Sequence, residues 1–183
     1  MPYKRGGGLL RLAALAGIVG GALWGAKASL DGIAPASRIA DLMDALYFLA
    51  PLLMLVGLVG VHARYSSRLM GMGRTGFVNC FIGLVLLVVG FASGLSFGVE
   101  EAMRISSFGF LILAFGLVLL GLEVLKAAAL PRWNFLPLAM GLLVPLSVIS
   151  GDIVLLRAPL SVLFGLGWVL LGLVLLPDVD GAE

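Results

Sequence analysis

Leu12-Ala-Ala-Leu-Ala-Gly17-Ile-Val-Gly-Gly21-Ala-Leu-Trp24-Gly25-Ala-Lys27-Ala-Ser29 is an apolar run in which a small residue returns at every fourth position: Ala13, Gly17, Gly21, Gly25 and Ser29. In water each interior glycine costs a helix about 1 kcal/mol relative to alanine. In a bilayer no hydrophobic force draws helices together, and close backbone approach across small residues becomes a main source of packing. The row therefore reads as the seam of a membrane helix, expected to lie against the second helix of a bundle.

Composition extends that reading to the whole chain. Of 183 residues, 61% are hydrophobic and 12% are charged, against about 25% charged in a soluble domain. Mean hydropathy is +1.16. A core of this size cannot absorb so many apolar side chains, so the bilayer is the expected solvent. The formal net charge of +2, with no basic run, gives no reason to expect a nucleic-acid partner. One cysteine, Cys80, excludes an intrachain disulfide, and one histidine, His62, beside it argues against a zinc site. No metal or cofactor is expected.

Six apolar segments follow one another, at 8–29, 39–62, 75–97, 106–130, 134–154 and 158–177, each near the roughly 20 residues that cross a hydrocarbon core of about 30 Å. The fold expected is all-α: an integral membrane bundle of six transmembrane helices, a single domain over residues 1–177 with a short acidic tail at 178–183. Lys4, Arg5 and Ala26-Lys27-Ala28 imitate the flanks of a signal peptide. The glycine row makes an unusual signal core, and the segment is read as a helix of the mature chain. Pro51, Pro137 and Pro145 fall inside segments and predict bends. Glu100, Glu101 and Arg104 read as a polar loop.

Basic residues set the orientation. Lys4, Arg5, Arg11, Arg64, Arg68, Arg74, Lys126 and Arg132 fall on one side, and Lys27, Arg38, Arg104 and Arg157 on the other. Both termini are expected in the cytoplasm, in a plasma or inner membrane. Small-residue centres suggest a repeat: Gly17 with Gly57, Gly83 with Gly121, and Gly141 with Gly172 lie 40, 38 and 31 residues apart. The pattern predicts three tandem helical hairpins.

Few residues could carry chemistry. Glu123 lies 17 residues beyond Ser106, or roughly 25 Å along a helix. It is either a proton or cation ligand facing the interior or, as the favoured reading, half of a surface ion pair with Lys126 at i+3. Asp41, Asp44 and Tyr47 open the second helix, and Lys27 closes the first. Together they could form a polar vestibule, or the acids could simply complement a helix dipole. Asn79 is expected to hydrogen-bond across helices, Cys80 to be an inert buried thiol, and His62 to cap the second helix. Trp24, Tyr47 and Trp133 suit interfacial belts, and Trp168 suits packing. Helix packing is assigned to Gly17, Gly21, Gly25, Gly90 and Gly94.

No phosphate-cradling loop, nucleophile elbow or paired-histidine motif occurs. The leading expectation is a non-enzymatic membrane protein acting through protein or lipid contacts: a scaffold, an accessory subunit or a stress-related component. Its expected partners are the lipid bilayer and a second copy or another membrane protein. The alternative is a small channel or transporter for a cation, proton or small polar solute.

Overall fold

A computed structural model describes residues 6–33, 48–96, 99–130, 133–149 and 154–176. Within them the chain is all-helical: α1 (Gly6–Ile33), α2 (Leu49–Tyr65), α3 (Met72–Ser96), α4 (Val99–Ala127), α5 (Leu136–Ile149) and α6 (Val154–Leu175). Four stretches are long and apolar enough to cross a membrane: Gly7–Leu30, Met72–Ser93, Arg104–Ala127 and Leu156–Leu175. α2 and α5 are apolar but shorter, with 17 and 14 residues.

Local chemistry explains where the elements depart from expectation. Glu100 and Glu101 fall within α4 rather than in a loop. Pro51 and Pro137 sit in the first turns of α2 and α5, where a missing N–H removes no intrahelical bond. Pro145 and Pro159 are internal, and α5 and α6 run through them. Gly71, at φ +44°, turns the chain between α2 and α3. Ala128 adopts the same left-handed conformation just past α4 (φ 44°), and the Ala129 N–H reaches back to the Val124 carbonyl at 3.2 Å. The Leu130 N–H donates to Asn134 Oδ1 at 2.8 Å, closing this turn into α5.

Each helix packs against its neighbours in sequence, and α1 packs against α6, so the six form a closed ring. The most extensive pairs are α3 with α4 and α1 with α6. Gly20 lies against Ala50 and Met54, while Ala13 lies against Gly60, so α1 and α2 run antiparallel. The same reasoning holds for α3 with α4 (Gly76 on Leu120, Gly83 on Leu113), α4 with α5 and α1 with α6. Consequently the start of α1 and the end of α6 lie at one end of the bundle. Arg11, Arg64, Arg68, Arg74 and Lys126 share that end; Lys27, Arg104 and Arg157 share the other.

The glycine row of α1 finds α6, not chiefly α2 as expected. A Cβ on Gly21 would strike the Gly165 carbonyl oxygen and approach the Val169 N to 2.8 Å. Gly17 lies where three helices meet, with the Gly172 and Gly57 Cα atoms 3.6 and 3.7 Å from its Cβ direction. The face turned toward α2 is carried mainly by Gly20, one residue off the row. Gly17 and Gly21, the centre of the row, are covered by α6 and do not face outward.

A second seam joins α3 to α4. Cβ atoms on Gly76 and Gly116 would come within 2.5 Å of Leu120 N and Cys80 N, and Gly83 and Gly109 oppose each other in the same way. These four glycines make this contact. Gly90 is buried, and the surroundings of Gly94 lie outside the described residues. The small-residue centres behind the expected hairpin repeat do not occupy matching contacts. Gly17 meets Gly57, but Gly83 meets Gly109 rather than Gly121, and Gly141 packs on Val118 and Ala114 of α4 rather than on Gly172. Glycine triplets in a leucine background are too degenerate to fix equivalent contacts.

Candidate functional site

Close approach of α1 lets one large side chain reach across the ring. Trp24, one turn beyond Gly20 and Gly21, is 4% exposed and is not an interfacial belt residue as expected. Its ring stands edge-on to Phe110 of α4 and Phe164 of α6, both at 5.6 Å, and is tilted against Phe91 of α3 at 6.4 Å. Phe164 continues edge-on to Trp168 at 6.4 Å. Below this aromatic cluster the interior is filled by Met54, Leu58, Leu84, Leu87, Leu113, Leu117 and Met140, all at most 1% exposed. Among the described residues Ser106 is the one buried polar residue.

Some polar atoms are nevertheless enclosed. Ser106 Oγ, Tyr65 Oη, Trp168 Nε1 and His62 Nδ1 are buried and have no hydrogen-bond partner among the described residues. The His62 ring does not cap α2; it stacks on Phe77 of α3 at 4.0 Å and 20°. Capping falls to Arg64, whose Nη1 donates to the carbonyls of Val174, Leu175 and Leu176 at 3.3, 2.9 and 3.5 Å. A guanidinium there offsets the unsatisfied carbonyls and the negative dipole end of α6. Nothing in the sequence singled out Arg64 from the other inner cations, because its partner lies 110 residues away.

Glu123 is half-buried on α4. Its Cγ and Cβ cover Gly73 of α3, 2.9 and 3.3 Å from that residue's Cβ direction. Lys126 is exposed, and among the described residues no ion pair joins the two. The expected pair is therefore not formed: α3 has no side chain at Gly73, and Glu123 lies flat over the gap instead of reaching along α4. Asp41, Asp44 and Tyr47 lie outside the described residues. Lys27 is half-buried near the end of α1.

Asn79 does not bond across helices. Its Nδ2 donates to the Thr75 carbonyl of its own helix at 2.9 Å, while its Cβ packs over Gly116. Cys80 is fully buried in the α3–α4 seam, with Sγ 4.0 Å from the Leu113 carbonyl oxygen. A thiol enclosed there has no approach for an electrophile. Trp133, 37% exposed, and Phe135 form the mouth of an apolar groove of about 240 Å³ between α5 and α6, with Met140, Leu163, Leu166 and Leu170 along its walls. The described residues hold no group of three or more His, Cys, Asp or Glu side chains that could bind a metal. No protein family, curated protein or solved structure matches the chain.

Proposed function

We propose that this chain is a non-enzymatic, multi-pass protein of a plasma or inner membrane that works through its contacts with lipid or with other membrane proteins. The carrying observation is the interior of the ring, where Trp24, Phe164 and Trp168 close the space between α1, α3, α4 and α6. A protein whose centre is packed with aromatic and aliphatic side chains presents its distinguishing surface outward. In this reading all six helices cross the bilayer. The antiparallel order supports it, although α2 and α5 reach only about 26 and 21 Å along their axes, which a locally thinned bilayer accommodates. The end bearing Arg11, Arg64, Arg68, Arg74 and Lys126 faces the cytoplasm, with both termini.

A second reading, a small channel or transporter for a cation, proton or small polar solute, is favoured by the four enclosed polar atoms without partners and by Glu123. One preparation separates the two. The full chain is purified in mild detergent, then reconstituted into liposomes and assayed with a panel of protons, monovalent cations and small polar solutes. The contact reading expects a defined oligomer or a specific co-purifying protein, and no flux. A lone monomer with a solute- or proton-dependent flux that Glu123→Gln abolishes would overturn it in favour of transport.

A further inference from the structure

The turn between α2 and α3 reads Arg68-Leu-Met70-Gly-Met72-Gly-Arg74, two methionines bracketed by two cations. Leu69 turns inward and is 1% exposed, whereas Met70 and Met72 are 69% and 38% exposed. Gly73 is the hub of this corner. The Leu69 Cβ lies 3.1 Å and the Glu123 Cγ 2.9 Å from its Cβ direction. Arg68 and Arg74 adjoin Leu69 and Gly73 in the chain, and Lys126 lies one turn beyond Glu123. All three cations are exposed, and among the described residues none makes an ion pair. Among the described residues the remaining charged group here is the half-buried Glu123 carboxylate, since Arg64 is occupied by the end of α6. Among the described residues, three cations against one carboxylate leave this corner positive.

We propose that this corner binds the headgroup of an anionic phospholipid. Exposed methionines between cations have no reason to face water, but at a bilayer surface the thioethers enter the acyl boundary while the arginine and lysine heads stay at phosphate depth. Charge complementarity selects the headgroup: a phosphate diester with an uncharged or anionic remainder neutralises the corner, whereas a zwitterionic headgroup brings its own cation. Gly71, exposed and with nothing within 4 Å of its Cβ direction, adds no side chain to hold a headgroup away. The inference rests on the membrane reading above and names the lipid that one face would take.

The test uses the full chain in nanodiscs of equal phosphatidylglycerol and phosphatidylcholine, released for native mass spectrometry to count retained lipids. The wild type is expected to retain phosphatidylglycerol over phosphatidylcholine by roughly tenfold or more, from about fivefold per surface cation discounted for Glu123. The triple variant R68Q/R74Q/K126Q is expected to lose the preference, and Arg11→Gln, at the same end but outside the corner, to keep it. Should the triple variant fail to fold, a salt titration of the wild type decides, because binding between exposed charges weakens as ionic strength rises. No preference in the wild type, a preference that survives the triple variant, or one indifferent to salt would overturn the proposal. So would a preference that emerges only after residues 178–183 are deleted, since the acidic tail would then be the occupant. A chain that never partitions into membranes defeats the membrane reading instead.

Discussion

Along the α1–α6 seam the small residues of α1 come every fourth position, whereas along the α3–α4 seam the glycines come every seventh, Gly76 and Gly83 against Gly109 and Gly116. A step of four advances about 40° around a helix of 3.6 residues per turn, while a step of seven drifts only about 20°. The fourfold row must therefore rotate off its partner. The Cβ direction of Gly21 runs into the α6 backbone, whereas that of Gly25, one step on, meets nothing nearer than the Val162 carbonyl oxygen at 3.9 Å, although the Gly25 backbone still lies against Gly165. The sevenfold glycines stay in contact at both ends of their step. The two seams also do different topological work: one fastens a sequence-adjacent pair, and the other closes the ring between the first and last helices.

The largest effect is expected from putting a branched side chain into either seam. Gly21→Val and Gly116→Val each push a β-branched group against backbone atoms that cannot yield, at the upper end of or beyond the roughly 1–3 kcal/mol of core overpacking. Both should lower the thermal unfolding midpoint in detergent, but only Gly21→Val should also red-shift tryptophan emission, because Trp24 and Trp168 flank the α1–α6 seam. An equal shift in Gly116→Val would erase the distinction between the seams.

A smaller effect is expected at Arg64, which holds the end of α6 without touching glycine at all. Arg64→Gln should cost about 1 kcal/mol and raise hydrogen exchange in the last turn of α6. Exchange unchanged there would mean that the α1–α6 seam alone secures the helix. The smallest effect belongs to Gly25→Ala. Its methyl group would meet ordinary contact distances, so the change should be neutral or stabilising by under about 1 kcal/mol. A loss comparable to Gly21→Val would show that the row acts as one unit after all.

Glu123 and Lys126 show why the candidate site was less legible than the fold. Their i, i+3 spacing is a property of one helix and predicts a pair. The outcome depended instead on Gly73, 50 residues away in sequence, which left a gap that the Glu123 side chain fills. Arg64 and Trp24 repeat the lesson: each looked like one more interfacial residue, and each is defined by partners on other helices. Hydropathy, by contrast, is a local sum. It marked out the apolar segments without any knowledge of neighbours, and α3 begins and ends within a few residues of its predicted bounds.

By itself the sequence determined an all-helical chain with helices apolar enough to cross a membrane, and a cation-rich end shared by the start of the first helix and the end of the last. Those follow from composition and from the odd–even order of antiparallel helices. Only the tertiary structure decided that α6 takes the glycine row, that Gly76, Gly83, Gly109 and Gly116 make the second seam, and that Trp24 fills the ring. The physical reason is that helix partners in an apolar medium are chosen by backbone shape. With 26 glycines in the chain many pairings satisfy the same local pattern, and only simultaneous packing of all the helices separates them.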